Sequence, residues 1–185
     1  MTISTLDPTT ALIVVDLQLG TTSAPTAHPI ADVVAHAVDL VAAFHTAGLP
    51  VVLGAVDGMA AGRTTYGPGG REFPAPFSEL VAELGTQADD IRILRRTWSV
   101  FAGTDLDAQL KALGVTQVVV VGVATSFGVE STSRQAYDLG YNVVIAVDAI
   151  TDRTLESHDN TVARVLPALG ELGTTADVLA LLPVR

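Results

Sequence analysis

Residues 118–152, VVVVGVATSFGVESTSRQAYDLGYNVVIAVDAITD, decide the fold of this chain. The stretch begins with an apolar, β-branched run, turns sharply, continues as a helical segment and ends in a second apolar run. Continuous apolar character over a few residues is typical of strands that are buried on both faces, as in a parallel sheet. Gly128 stands where the loop enters the helix, and Gly140 follows the helix, where glycine commonly ends one. The stretch therefore predicts one strand–helix–strand unit.

The same alternation extends through the rest of the chain. Apolar runs predict strands at 11–16, 49–56, 117–124 and 142–149, with a weaker strand at 90–95. Apolar spacing of three and four residues, or a following glycine, predicts helices at 30–47, 105–113, 127–139 and 154–169 and a short terminal helix in 174–183. This pattern predicts an α/β fold, a three-layer sandwich with a doubly wound, mainly parallel sheet. Because no linker divides the chain, we expect residues 1–185 to form a single domain.

Composition narrows the classes of function. The formal net charge is −10, and phosphate binding needs clustered cations, so we expect no nucleic-acid partner. The chain has no cysteine, which excludes disulfides, thiolate nucleophiles and cysteine metal ligands. The first ten residues lack the basic start and apolar stretch of a signal peptide, and the strand-like apolar runs are shorter than the ~20 residues that span a bilayer. We therefore expect a cytoplasmic protein with no membrane partner.

Three candidate site positions fall where predicted strands end. Asp16 follows the first strand, Arg95 ends the weak strand, and the segment 124–128 follows the strand at 117–124. In doubly wound sheets, sites form at the carboxyl ends of the strands. The irregular, glycine-rich stretch 57–74 is predicted to be an excursion over this face.

Four segments resemble the isochorismatase-like hydrolases, also called the cysteine hydrolase superfamily. They are ALIVVDLQLG at 11–20, LRRTWSVFAGTDLDAQL at 94–110, GVATSFGVESTSRQAYDLGYNV at 122–143 and DAITD at 148–152. The resemblance covers nearly the whole chain and implies a single α/β domain with a mainly parallel sheet. It also implies a small-molecule substrate and assembly into a homo-oligomer, a dimer or a tetramer. Fold alone does not establish an activity.

Residues of the family's catalytic set carry over to this chain position by position. Family members that cleave amides use an Asp, a Lys and a Cys, which match Asp16, Arg95 and Gly128. Glycine has no side chain that can attack a carbonyl, so a thioester intermediate is excluded at this position. The isochorismatases resemble this variant, because they carry Gly in place of the Cys and cleave a vinyl ether without a covalent intermediate.

The resemblance also implies main-chain contacts at this site. In the family, the peptide before the residue that matches Ala124 is cis, and the N–H groups at Ala124 and at Gly128 form an oxyanion hole. A cis Val123–Ala124 peptide is therefore expected. The metal-binding Asp–His pattern of the related nicotinamidases is not visible after Asp57. We expect neither a metal nor a cofactor.

Asp16 and Arg95 each admit more than one interpretation. Asp16 is predicted to be a general acid or general base, and the alternative is a helix cap or a partner for a buried arginine. Burial would raise the pKa of its carboxyl and a nearby guanidinium would lower it. Arg95 keeps its proton near neutral pH. It either orients Asp16, binds a substrate carboxylate through two hydrogen bonds, or fills a basic structural position.

Other residues near these motifs are weaker candidates. The hydroxyls of Ser99, Thr125 and Ser126 are predicted to cap helices and to form hydrogen bonds within loops, and nucleophilic attack is the alternative, which no histidine at a telling offset supports. His158 lies early in a late helix and is a candidate for the mouth of the site. Tyr66 is a candidate polar contact. The predicted substrate contacts are Gln18, Trp98, Phe101, Thr125 and Phe127. For the three aromatic residues among them, packing in the core is the competing interpretation.

Two functions compete. The first is a cofactor-free hydrolase of a small organic molecule, with Asp16 in acid/base catalysis, Arg95 stabilising negative charge and the N–H groups of Ala124 and Gly128 binding an oxygen. Vinyl-ether cleavage of the isochorismate type suits this set because it needs no nucleophilic side chain. The second is a non-catalytic member that binds a small molecule or serves in assembly, which the loss of the Cys and the Lys-to-Arg change both favour.

Overall fold

The computed structural model describes residues 3–183, in which the chain forms a central sheet and one small hairpin. Parallel strands make up the sheet, in the spatial order fifth, second, first, sixth, seventh and eighth along the chain. The third and fourth strands pair antiparallel with each other. The strands are β1 (Thr10–Val15), β2 (Val51–Val56), β3 (Arg63–Thr64), β4 (Gly67–Pro68), β5 (Ile91–Arg95), β6 (Gln117–Val123), β7 (Asn142–Thr151) and β8 (Glu171–Gly173).

Helices connect these strands and cover both faces of the sheet. They are α1 (Leu19–Thr22), α2 (Ile30–Ala47), α3 (Leu106–Ala112), α4 (Glu130–Asp138), α5 (Leu155–Arg164) and α6 (Thr175–Leu181). A π-helical turn, Thr125–Val129, joins β6 to α4. Single 3₁₀ turns lie at Ala82–Leu84 and at Leu166–Ala168.

Two hydrophobic clusters lie on opposite faces of the sheet. Alternate residues of β1 serve both, since successive strand side chains point to opposite faces. Leu12 and Val14 pack with Phe44 of α2 in one cluster, whereas Ile13 packs with Leu110 of α3 in the other. This explains the continuous apolar run in β1, and it confirms the predicted three-layer α/β fold with a mainly parallel sheet.

The longest helix, α2, is long and apolar enough to cross a membrane by length and composition alone. Its buried stripe packs against the sheet as the stripe of a core helix does, with Val33, Leu40 and Phe44 in the hydrophobic cluster. The C-terminal end is at Gly48, which adopts the left-handed conformation (φ 63°) that glycine accepts at no steric cost.

The structure differs from the sequence prediction in several places, three of which lie after residue 126. Strand β8 was not predicted, because three residues are too few to show a pattern. The predicted helix 127–139 begins as the π-helical turn, so its regular part starts only at Glu130. The predicted helix 154–169 ends at Arg164, and Pro167, which has no N–H to continue the helical hydrogen bonds, lies in the following 3₁₀ turn.

Candidate active site

Asp16, Arg95 and the 124–128 segment meet at one edge of the sheet. Asp16 directly follows β1, which lies between β2 and β6. Arg95 ends β5, one strand further away, so its side chain must cross β2. Gly54 of β2 leaves the room for this crossing, since a Cβ at that position would lie 3.4 Å from Arg95 Nη1 and 2.8 Å from Val100 Cγ1.

A buried, bidentate ion pair joins Asp16 and Arg95. Nη1 of Arg95 donates to Oδ1 of Asp16 at 2.7 Å, and Nη2 donates to Oδ2 at 3.0 Å. The same two nitrogens also donate to the carbonyls of Ala55, at 3.2 Å, and of Trp98, at 2.7 Å. All four terminal N–H groups of the guanidinium are thus engaged, while its Nε meets no acceptor among residues 3–183.

This geometry favours one of the interpretations of Arg95. Its donors are committed to Asp16 and to two carbonyls, and the residue is only 5% exposed. Binding a substrate carboxylate through two hydrogen bonds would require breaking the pair with Asp16. The structure therefore supports orientation of Asp16, because a planar guanidinium that binds both carboxylate oxygens fixes the plane of the carboxylate.

Burial and charge act in opposite directions on the Asp16 carboxyl. Removal from water disfavours the charged form and raises the pKa of Asp16, whereas the charge and hydrogen bonds of Arg95 act to lower it. Burial is the larger effect, so the pKa of Asp16 lies above its ordinary value. A carboxyl with a raised pKa holds its proton at higher pH, as a general acid requires.

Gly128 adjoins this pair. A Cβ on Gly128 would lie 3.4 Å from Oδ2 of Asp16, 3.2 Å from the carbonyl oxygen of Val123 and 2.8 Å from Cγ1 of Val15. The position that the resemblance assigns to a cysteine therefore faces the carboxylate, but Val15 occupies part of the space that a side chain would need. The Val123–Ala124 peptide is cis, as the resemblance predicted.

Two side chains from outside the segment hold 124–128 in place. The N–H of Ser126 donates to Oδ2 of Asp152 at 2.6 Å. The hydroxyl of Thr125 lies 2.9 Å from Nδ1 of His158, on α5. The sequence did not reveal either contact, because the partners are 26 and 33 residues away and no motif spacing links them.

The predicted substrate contacts divide into an aromatic pair, of which one member is exposed and the other partly buried, and a buried group. Trp98 is 61% exposed and lies edge-to-face against Phe127, with ring centroids 5.1 Å apart. Trp98 also lines a surface groove of about 750 Å³, together with its neighbours Thr97 and Ser99 and with residues of α4. Trp98 is therefore accessible to a ligand, whereas Phe127 is only partly exposed and is not among the residues that line the groove.

Gln18, Phe101 and Thr125 are buried, and the structure gives them roles that differ from the predicted substrate contact. Nε2 of Gln18 donates to the carbonyls of Val56 and Phe77, both at 2.9 Å, and its Oε1 accepts from the N–H of Val56 at 2.8 Å. The ring of Phe101 packs in the core against the ring of Tyr141, with centroids 5.8 Å apart. Thr125 is fully buried against His158. These three side chains therefore belong to the packing around the site.

Comparison with known proteins identifies the family. The Isochorismatase domain family matches residues 10–177. An uncharacterized isochorismatase family protein of Escherichia coli O157:H7, YecD, is 37% identical over 179 residues, which cover 92% of this chain and 95% of YecD.

Solved structures agree with this match. An isochorismatase family protein from Burkholderia thailandensis has a TM-score of 0.93 and 36% identity, over 98% of this chain and 99% of the other. N-carbamoylsarcosine amidase from Thermoplasma acidophilum has a TM-score of 0.76 and 25% identity, over 90% of this chain and 96% of the other. The chain belongs to the isochorismatase family, whose members are hydrolases that act on small molecules.

Proposed function

We propose that this chain hydrolyses a small organic molecule with Asp16 as its proton donor and acceptor, without a cofactor and without a thiol nucleophile. One observation carries the proposal: the Asp16 carboxylate is oriented by Arg95 and lies beside Gly128, the position where the family's nucleophile would stand. A fixed carboxyl with a raised pKa supports acid/base chemistry. Because Gly128 has no side chain that could attack the substrate, this centre contributes proton transfer and not covalent catalysis.

A vinyl ether of the isochorismate type is the substrate class that suits this centre. The proton of the Asp16 carboxyl moves to the terminal alkene carbon, and the ether oxygen stabilises the cation that results. Water then adds to the cationic carbon and returns a proton to Asp16. The hemiketal that forms collapses to a ketone and an alcohol, so the net reaction consumes one water and leaves the enzyme unchanged. Proton transfer by a positioned side chain typically contributes about 100- to 10,000-fold in rate.

Main-chain donors complete the proposed site. The resemblance assigns these donors to the N–H groups of Ala124, which follows the cis peptide, and of Gly128, which lies in the π-helical turn. An oxyanion donor of this kind is worth about 3 kcal/mol when it meets charge that develops in the transition state. In this proposal, the two N–H groups bind an oxygen of the substrate.

Amides are the competing substrates, because N-carbamoylsarcosine amidase shares the fold. We expect them to be poorer substrates here, since Gly128 offers no nucleophile for the acyl transfer. The experiment is a screen of the purified protein against isochorismate and a panel of amides and ureides, beside the Asp16→Asn variant. Turnover of isochorismate that the variant loses supports the proposal, and turnover of amides alone contradicts the vinyl-ether assignment.

Two observations favour the alternative, a binding protein without catalysis. The Asp16 side chain is only 10% exposed, and the groove beside Trp98 is lined by residues other than Asp16 and Gly128. In that case both the wild type and Asp16→Asn would bind a ligand equally well, as measured by calorimetry, and neither would turn any compound over. Loss of turnover without loss of binding in the variant would exclude this alternative.

We also propose that the chain works as a homo-oligomer. Large apolar side chains on its surface support association, among them Leu94 and Trp98, which are 60% and 61% exposed. Sedimentation velocity measures the assembly state directly, and a monomer at all concentrations would contradict the proposal.

A further inference from the structure

Two histidines pack against each other next to the 124–128 segment. His28 lies in the loop that precedes α2, and His158 lies on α5, with their ring centroids 4.5 Å apart and the rings inclined at 66°. Nδ1 of His158 is 2.9 Å from the hydroxyl of Thr125, and Nδ1 of His28 is 3.0 Å from the hydroxyl of Thr151. The pair thus connects the segment that follows β6 with the end of β7.

Burial decides what the Thr125–His158 contact can do. A hydroxyl beside an imidazole is the arrangement of an activated nucleophile. Thr125 is fully buried, however, and His158 is only 7% exposed, so no substrate reaches this hydroxyl. The contact instead fixes a residue that lies next to Ala124 and three positions before Gly128.

The segment has one further anchor. Oδ2 of Asp152 accepts from the N–H of Ser126 at 2.6 Å, and Asp152 is 1% exposed. Asp152 bonds a main-chain group, whereas His158 bonds a side chain, so the imidazole fixes the Thr125 side chain that Asp152 leaves free. Both contacts come from residues that follow the segment in the chain, Asp152 directly after β7 and His158 on α5.

We propose that His158 is a positioning residue, which in its neutral form holds the 124–128 segment so that its main-chain donors face the substrate. This inference rests on the proposed function of the centre at Asp16. His28 contributes by packing against His158 and by its own bond to Thr151. In this proposal Nδ1 of the neutral His158 accepts the hydrogen bond of the Thr125 hydroxyl, and a protonated ring cannot accept it.

The groups that surround His158 set its charge. Burial lowers the pKa of His158, and His28 acts in the same direction, while Asp159 on its own helix and Asp152 at the end of β7 act to raise it. From α4, Glu130 faces α5 and accepts a bond from Thr161 at 3.2 Å. The lowering effects are larger, so His158 is neutral at neutral pH. Its contact with Thr125 is lost only as the pH falls through this lowered pKa, which lies below the ordinary histidine value of about 6.5.

Three variants test the inference by kinetics. His158→Asn keeps a hydrogen-bonding group near the position of Nδ1 but does not titrate, and His158→Leu removes the bond. His45→Asn is the matched control, since His45 is also a hydrogen-bonded histidine, 2.7 Å from Asp90, and plays no part in the proposed site. We expect His158→Leu to lower kcat about tenfold, with a much smaller change in KM. His158→Asn should keep most of kcat and lose the fall in kcat that the wild type shows below about pH 6.5.

A second readout does not depend on turnover. The backbone amide NMR shift of Thr125 should move as the pH falls below about 6.5 in the wild type and in His45→Asn, and stay in place in His158→Asn. If no substrate is turned over, the proposed function fails while this shift still tests the inference. Equal movement of this shift in His158→Asn and the wild type would overturn the inference, as would a His158→Leu variant with wild-type kcat.

Discussion

Two consecutive arginines lie in two different regions of the molecule, one buried and one exposed. Arg95 points inward, where it is 5% exposed and bonds Asp16 at the centre of the proposed site. Arg96 points outward to the 57–74 excursion, where it donates to Asp57 at 3.1 Å and to Glu72 at 2.9 Å. Hydrogen bonds to these two carboxylates raise the pKa of Arg96 above its ordinary value, so Arg96 carries its positive charge at neutral pH.

The same residue type thus fixes the plane of a carboxylate where it is buried, as at Arg95, and only holds a loop where it is exposed, as at Arg96. Exposed ion pairs contribute little to stability, because water and salt screen them. A buried pair is costly to break, because removing one partner leaves an unpaired charge in the interior. We therefore expect variants of the buried centre to show large effects and variants of the excursion to show small ones.

Removing Arg95 should have the largest effect on stability. Arg95→Leu leaves the Asp16 carboxylate buried without a partner, and we expect a loss of about 3–5 kcal/mol in the free energy of unfolding. Urea denaturation measures this loss. Arg96→Leu is the matched control and should lose much less, in a manner that diminishes with added salt. Equal losses of stability in the two variants would contradict the claim that the buried ion pair matters more for stability than the exposed one.

Restoring a cysteine at residue 128 should have the next largest effect. Gly128→Cys places a Cβ only 2.8 Å from Cγ1 of Val15, so we expect overpacking to cost about 1–3 kcal/mol. Combining it with Val15→Ala should cost less than the sum of the two single changes, because the smaller side chain makes room. Thermal unfolding of the three variants measures the coupling. Strictly additive losses would mean that the two positions do not meet.

The stability of the protein should depend on pH through the buried carboxyl of Asp16. Since the pKa of Asp16 is raised in the folded protein, the native chain keeps this proton after the unfolded chain has released it, near the ordinary value of 3.8. The wild type should therefore lose stability relative to Asp16→Asn as the pH rises above that value and through the folded pKa. Urea denaturation of both proteins across this range tests the sign, and a difference that grows in favour of the wild type would contradict it.

The tip of the excursion should show the smallest effect. Tyr66 lies between β3 and β4 and is 98% exposed, and a Cβ added at the neighbouring Gly67 would meet no atom within 4 Å. We expect Tyr66→Ser to change the free energy of unfolding by less than about 0.5 kcal/mol. A larger loss in chemical denaturation at low protein concentration would show that the excursion packs against the domain.

The sequence predicted the fold well because the fold depends on local patterns. The apolar runs gave the long parallel strands, and glycines such as Gly48 and Gly140 marked helix ends. The same patterns placed Asp16 and Arg95 at strand ends, and the order of strands then brought them together. The three-residue strand β8 was missed, since it carries too little pattern of its own.

The surroundings of the site could not be predicted, because they depend on contacts between distant parts of the chain. Nothing in the sequence shows that His158 meets Thr125, or that Gly54 leaves room for the side chain of Arg95. The roles of Gln18 and Phe101 were assigned from their closeness to motifs, whereas burial decides that they support the fold. Proximity in sequence located the site, and packing decided which side chains face it.

The most direct test of the central claim is a kinetic double-mutant cycle with isochorismate as the substrate. If Arg95 acts by orienting Asp16, Asp16→Asn should lower kcat/KM about 100- to 10,000-fold, and Arg95→Lys should lower it less. The double variant should then be no worse than Asp16→Asn alone, because the arginine has no carboxylate left to orient. Wild-type turnover in Asp16→Asn, or losses that multiply in the double variant, would contradict the account.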